Sequence, residues 1–363
     1  MAVDIVVGGQ AGDEGKGKIC AWLAVKKDYD YCIRVGGPNA GHTIFFKDKI
    51  YTLKTMPGGF VNPRAKLVLG AGTYVIPDWL EKEIELTGAG HRLIIDPHVV
   101  IIEPRHTAAE RADARMMGKI GSVGTGLGAA VRDRVDRKKL LFAKDHPRLK
   151  KYVKDVPELL NKALARGSRM LLEGTQGMKL SNLHGEYPFV TSRDTTASTF
   201  MGEAGLGPKY AGEVYAVFKP YVTRVGPGLV AKETKDKAKL ERYHTAGREV
   251  GSVSGRLRRV GEFEMNVALQ TVRVNSATRL AITHIDMLEG ADISRGVKSF
   301  TGEAARFMRT LEKVCAAYPH PKVELVSYGP GLHDVLHLKQ AGGAFSNRKM
   351  SMRYLVGAPS GTL

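Results

Sequence analysis

Short apolar, β-branched runs recur along the chain, and each stops at glycine or a polar turn. Ile5-Val6-Val7 ends at Gly8-Gly9, Tyr31 to Val35 at Gly36-Gly37, and Leu67-Val68-Leu69 at Gly70. Met170-Leu171-Leu172 gives way to Glu173-Gly174, Val214 to Phe218 to Lys219-Pro220, Leu280-Ala281-Ile282 to Thr283, and Val323 to Val326 to Ser327. Continuous runs of this length, without alternation, predict strands buried on both faces, as in a parallel sheet. Helical segments lie between several of them. Pro77 to Leu86 opens on proline and carries Asp78, Glu81 and Glu83, which suits a helix N-terminus. Val156 to Arg166 and Gly302 to Ala317 also read as helices. The alternation predicts an α/β fold with a mainly parallel central sheet flanked by helices. Residues 1–363 read as one domain. Within it, residues 105–155 are strand-poor and basic and predict a helical insertion, and residues 341–363, rich in Gly, Ser, Arg and Met, read as a loose tail.

In sheets of this kind ligands sit beyond the carboxyl ends of the strands, and the glycine-rich and charged motifs fall mostly at those ends. Composition supports a backbone-lined site: 42 glycines in 363 residues exceed the usual share of ~7%. Hydrophobic residues at 43% exclude wholesale disorder. Cys20, Cys32 and Cys315 are too few and scattered for a disulfide framework or a cysteine-based zinc site. The start of the chain shows no basic segment leading into a long apolar one, and no run approaches ~18 apolar residues, so a reducing, aqueous, cytoplasmic setting is expected. Lysine and arginine number 55 against 37 acids, a net charge of +18. Such a chain attracts polyanions, either nucleic acid or phosphorylated small molecules. The basic runs lack the interleaved aromatics of a single-strand platform, and a nucleic-acid-binding protein rests on charge alone.

Gly8-Gly9-Gln10-Ala11-Gly12-Asp13-Glu14-Gly15-Lys16-Gly17-Lys18 directly follows the first strand. Glycines let backbone amides approach an anion, a helix N-terminus adds a favourable dipole, and lysine adds charge, so the stretch predicts a P-loop-like phosphate loop. It is neither a strict Walker A sequence nor a dinucleotide fingerprint. Its acid pair would repel phosphate unless it holds a metal or moves a proton. After the second strand comes Pro38-Asn39-Ala40-Gly41-His42-Thr43, whose histidine reads as a general acid beside such a loop.

Together these motifs resemble the adenylosuccinate synthetase family, which joins aspartate to IMP with GTP. Further matches follow in order: Glu173-Gly174-Thr175-Gln176-Gly177, Tyr187 to Ser192, Thr223-Arg224-Val225-Gly226, Ser254 to Arg259, Asp286, and Ser327 to Pro330. They span residue 4 to about 330, and the short chain is similar to the archaeal branch. The resemblance implies that Asp13 takes the N1 proton of IMP and that His42 donates to the charge developing on O6 or on the bridging phosphate. Lys16 and the loop residues Gly12, Gly15 and Gly17 would hold phosphates, with Gln176 also in the catalytic set. Asp13 and the Gly41 carbonyl would coordinate Mg²⁺. Asn39, Gln176 and Thr191 would bind the IMP phosphate. Arg137 would reach that phosphate from a partner subunit of a homodimer. Ser254, Arg256 and Arg258 would take aspartate and neighbouring phosphate, and Asp286, Ser327 and Gly329 the guanine of GTP.

The departures from the family pattern are Ala11 for Trp, Ser122-Val123 for two threonines, Pro227 for Ala, Leu229 to Thr234 for a P-F-P-T-E run, His284 for Lys, and Val253 and Ser254 for two threonines. Most fall around the nucleoside monophosphate, Val123 lying where a substrate-phosphate donor is usual. They bear on which purine binds more than on the reaction. The alternative substrate is dGMP, taken with ATP or dATP as donor by phage relatives on the way to 2-aminoadenine DNA. Asp13 would crowd the 2-amino group of guanine and favours IMP.

Overall fold

In the computed structural model, which describes residues 2–247, 249–251, 253–340 and 354–356, all seven apolar runs are strands. In chain order the strands are β1 (Val3–Gly8), β2 (Tyr31–Gly36), β3 (His42–Phe46), β4 (Lys49–Leu53), β5 (Lys66–Val75), β6 (Leu93–Ile95), β7 (Val100–Ile101), β8 (Met170–Glu173), β9 (Ala211–Phe218), β10 (Tyr221–Arg224), β11 (Arg259–Glu262), β12 (Arg279–Ile282), β13 (Lys322–Ser327), β14 (Val335–Gln340) and β15 (Tyr354–Val356). Among the described residues eleven of them form one sheet, in the order β15-β14-β13-β12-β9-β1-β8-β2-β5-β6, with β7 also on β5. It is parallel from β6 to β13 and antiparallel only where β14 joins β13 and β15 joins β14.

Successive residues of β1 serve opposite faces. Ile5 and Val7 pack with Leu160, Phe200, Val272 and Leu311, whereas Val6 packs with Ile19, Leu23 and Leu80. One helical layer therefore holds α5 (Val156–Ala165), α6 (Ala197–Glu203), α8 (Met265–Asn275) and α9 (Gly302–Cys315), and the other α1 (Lys16–Lys26) and α2 (Pro77–Thr87), while α7 (Lys237–Thr245) packs through Tyr243 with Tyr221 and Val260 in a separate cluster. Burying a Val, Leu or Ile on each face contributes about 1.5–3 kcal/mol per side chain, so a strand between two helical layers reads as an unbroken apolar run. The three expected helices are α2, α5 and α9. Proline at the first turn starts α2, and the Asp155 carboxylate caps α5 by accepting from the Glu158 amide at 2.9 Å.

Two ribbons, β3–β4 and β10–β11, escape the run pattern because each strand is short and partly exposed or polar. From Arg105 to Lys154 the described chain contains no strand. It holds most of α3 (Pro104–Ala112), a π-helical turn over Arg115–Ile120, and α4 (Leu127–Val135). Of the expected loose tail only residues 354–356 are described, as a strand on β14; the rest of 341–363 lies outside the described residues. No helix among the described residues is long and apolar enough to cross a membrane.

Candidate active site

The loops that follow the carboxyl ends of β1, β2, β8, β10, β12 and β13 open into one cleft of about 840 Å³. Gly12, Asp13, Gly15, Lys16 and Gly17 line it from the β1 loop, Asn39, Gly41 and His42 from the β2 loop, and Gln176 from the β8 loop. Thr191, Val123, Ser254, Arg256, Arg258, Asp286, Ser327 and Gly329 complete its walls. Of the residues given a catalytic, binding or metal role from the sequence, Arg137 alone is absent from the lining. It lies exposed just past α4 with φ 56°.

Glu14 organises the phosphate loop from inside. It is fully buried, and its Oε1 accepts from the amides of Gln10 and Gly12, both at 2.9 Å. Its Oε2 takes the Lys16 ammonium at 2.6 Å. The acid pair thus divides: Asp13 lines the cleft, while Glu14 lies behind it and folds the loop around itself. This also explains neighbouring glycines, since a Cβ at Gly177 would stand 2.3 Å from Glu14 Oε1. Gly15, at φ 83°, turns the chain into α1, and Thr283 ties the turn to β12 by donating to the Glu14 carbonyl at 2.6 Å.

His42 opens β3, and its Nδ1 is hydrogen-bonded to the buried carboxylate of Glu173 at the end of β8. Burial, with the Arg34 guanidinium, pulls the His42 imidazole down to about 4 against the opposing pull of Glu173. Burial would raise the Glu173 carboxyl, but His42, Arg34 and the Gly58 amide outweigh it and hold it below its ordinary value. His42 Nε2 is buried and has no partner among the described residues.

Beside Asp13 lies a second buried charge system. Arg258 bridges Asp13 Oδ1 at 2.8 Å and Glu249 Oε2 at 2.6 Å. Glu249 also takes Lys219 Nζ and the Tyr221 hydroxyl, each at 2.8 Å. Burial would raise the Glu249 carboxyl, yet Lys219, His284 and Arg258 bring it down to about 2. Arg224, of the Thr223-to-Gly226 motif, donates to the Pro227 carbonyl at 2.6 Å and to Glu186 at 3.0 Å, joining two cleft loops. Gly121, at φ 78°, lies so close to Pro227 that a Cβ would meet its Cδ at 2.4 Å. The unusual Pro227 therefore packs against the segment that carries the equally unusual Val123.

At the far end of the cleft, Asp286 sits in the turn after β12, with Oδ1 buried and unpartnered among the described residues. Lys18 holds the neighbouring Ser327-to-Asp334 loop by donating to the carbonyls of Tyr328, Gly329 and Asp334 at 2.8, 3.1 and 2.9 Å. Burial lowers its ammonium to about 8 despite Asp334 and Asp286. On the opposite side Gln176 donates to Asn39 Oδ1 at 2.9 Å, leaving Gln176 Oε1 buried without a partner among the described residues. Arg256 is exposed and reaches the Gly121 carbonyl at 3.1 Å.

The donor set suits a hard cation completed by its substrate. Among the described residues no three acidic, His or Cys side chains stand together as a metal cage. Asp13 presents a carboxylate, about a quarter exposed, to the same cleft as the Gly41 backbone. One carboxylate, a carbonyl, phosphates and water form the environment Mg²⁺ prefers.

The sequence motifs did not show that Glu14, Glu173 and Glu249 build the site around the reacting groups. Glu14 was read with Asp13 as an acid pair for metal or proton chemistry, Glu173 stood in a quoted motif without an assigned role, and Glu249, five residues before Ser254, carried no local signal.

The adenylosuccinate synthetase family profile matches residues 5–144 and 140–320. The chain is 41% identical over 347 residues to the adenylosuccinate synthetase of Methanocaldococcus jannaschii, covering 93% of this chain and 97% of that protein. It is 40% identical over 344 residues to that of Archaeoglobus fulgidus, covering 94% and 99%. Among solved structures, fully ligated adenylosuccinate synthetase from Plasmodium falciparum has a TM-score of 0.84 at 23% identity, covering 93% of this chain and 100% of that one. The cyanophage S-2L succinoaminodeoxyadenylate synthetase bound to dGMP and dATP has a TM-score of 0.78 at 24% identity, covering 93% and 95%. Both share this fold.

Proposed function

The chain belongs to the adenylosuccinate synthetase family, and from that premise we propose how the cleft residues divide the reaction. The protein is a nucleotide-using ligase that joins L-aspartate to position 6 of IMP. Asp13 removes the proton from N1, and the electron pair moves to O6, which attacks the γ-phosphorus of GTP; GDP leaves. The aspartate amine then displaces phosphate at C6, and the phosphate carries O6 away. Lys16 and the amides around Gly12, Gly15 and Gly17 hold the transferring phosphates. His42 Nε2 faces the charge that develops on them. Asn39, Gln176 and Thr191 hold the IMP phosphate, with Val123 on the same wall. Ser254, Arg256 and Arg258 receive aspartate, the arginines through forked, charge-assisted bonds. Asp286 accepts from N1 and N2 of guanine, beside Ser327 and Gly329. Asp13 and the Gly41 carbonyl would hold Mg²⁺, which when bound would neutralise charge on the phosphoryl group.

Arg137 points this reading to a homodimer, since an exposed arginine outside the cleft serves the IMP phosphate only from a partner subunit. The 105–155 insertion supplies the substrate-side wall. A ligase fed by phosphorylated metabolites belongs in the cytoplasm.

The observation that carries the reading is the convergence of six strand-end loops on one cleft, with Asp13 and His42 on adjoining loops. The test is a paired assay with Mg²⁺, GTP and aspartate, given IMP or dGMP, with the product identified by mass. Turnover of IMP is expected. Turnover of dGMP alone would move the protein to the other substrate and make Val123 and Pro227 the residues to exchange.

A further inference from the structure

The carboxylate of Glu173 touches no position assigned to a substrate, yet it is 1% exposed and both its oxygens are engaged. Oε2 accepts from the Gly58 amide at 2.6 Å. Oε1 accepts from Arg34 Nη1 at 3.2 Å and faces His42 Nδ1. Arg34 is itself fixed by the carbonyls of Met56, Ala40 and Lys54 at 3.1, 3.1 and 3.2 Å. The anchor of the histidine is thus tied to the backbone on several sides. A second restraint comes from α1, where a Cβ at Gly17 would stand 2.7 Å from His42 Cβ. On the other edge of the ring, Nε2 is buried and unpartnered among the described residues, in a side chain that lines the cleft.

A carboxylate can only accept, so the nitrogen facing it must carry hydrogen. We propose that Glu173 is a positioning residue of the ligase: it holds the His42 ring through Nδ1–H, so that Nε2 is the nitrogen that donates at the phosphoryl-transfer site. Arg34 and Gly58 keep the carboxylate from following the ring. This rests on the reading of His42 as the group that meets the transferring phosphoryl, and the test separates the two.

The first arm is ¹⁵N NMR of the ligand-free full-length protein labelled at histidine, with His42 identified by its loss in His42→Asn. A protonated Nδ1 is expected; a neutral ring protonated at Nε2 overturns the proposal, whether or not any Glu173 variant folds. The second arm is a double-mutant cycle. Glu173→Gln is expected to lower kcat by about 10- to 100-fold, the usual range for a group behind a functional histidine. KM for IMP and GTP should stay within about threefold, as for an interaction realised in the transition state. Adding Glu173→Gln to His42→Asn should cost nothing further. Multiplying effects, or a drop in stability with kcat unchanged, would make Glu173 merely structural. Full activity in His42→Asn would overturn the role of His42 itself, and the NMR result would stand apart from it.

Discussion

On the phosphate-loop wall of the cleft, Glu14, Lys16, Glu173 and His42 are all buried, and each has at least one charged partner. On the opposite wall Arg256 is exposed, its side chain reaching the Gly121 carbonyl, and Ser254 and Val123 are half-buried on loops. Arg258 stands between, buried and bridging Asp13 to Glu249. The contrast teaches where each cost falls. Groups that must meet developing charge are set before substrate arrives, because preorganised dipoles need no rearrangement during reaction. Of the groups proposed for aspartate, Ser254 and the exposed Arg256 are left to be ordered by it. Changes on the first wall should therefore reach kcat and stability, and changes on the second should reach KM.

The largest effect expected is that of Asp13→Asn, where Asn tolerates the native φ of 63°. Loss of the base should lower kcat by about 10⁴ with the fold intact by circular dichroism; a near-normal rate would remove Asp13 from its role and erase the contrast. Glu249→Gln comes next. It strands Lys219 and Arg258 without their shared anion, and such a loss costs about 3–5 kcal/mol by urea unfolding. The Glu249 carboxyl lies at about 2 in the fold against an ordinary 4.5, so its contribution is present above pH 4.5 and lost as the pH falls toward 2. The gap between wild type and variant should accordingly narrow below pH 4.5; a constant gap would mean the carboxylate charge is not what is lost.

Smaller effects sharpen the comparison. Arg256→Leu should raise KM for aspartate about 10- to 100-fold, the size of one charge-assisted interaction, with melting temperature and kcat nearly unchanged. A collapse of kcat instead would show that this wall too is set for the transition state. Gly17→Ala pushes a methyl against the His42 backbone and Cβ, a crowding that costs about 1–3 kcal/mol in stability; kcat should fall with it because the ring moves. Unaltered kcat would mean that the close approach of α1 does not position His42.

Much of this was legible in the sequence because parallel strands between two helical layers leave a plain apolar signature, and because their loops carry the chemistry. Ile5 to Val7 and Leu280 to Ile282 announced both a strand and the place where a site begins. The ribbons β3–β4 and β10–β11 did not, since His42–Phe46 opens on two polar residues and Arg259–Glu262 holds a single large apolar one, Val260, each on a partly covered surface. The site residues that touch the cleft stood in glycine-rich motifs, where glycine marks close backbone approach. Residues acting from behind were silent for a physical reason: Glu249 meets Lys219 across 30 residues and Arg258 across 9, and no helix or strand period encodes that meeting. Glu14 was legible as a carboxylate in a phosphate loop, but its inward direction depends on the amides of Gln10 and Gly12, which only the folded turn brings to it.

The most direct test of the account is the fate of O6. IMP labelled with ¹⁸O at O6 should be incubated with GTP, Mg²⁺, aspartate and the enzyme, and the inorganic phosphate examined by mass. Activation by phosphoryl transfer to O6 predicts one labelled oxygen in each phosphate released with product. Unlabelled phosphate, with product formed at the usual rate, would contradict the mechanism assigned to this cleft.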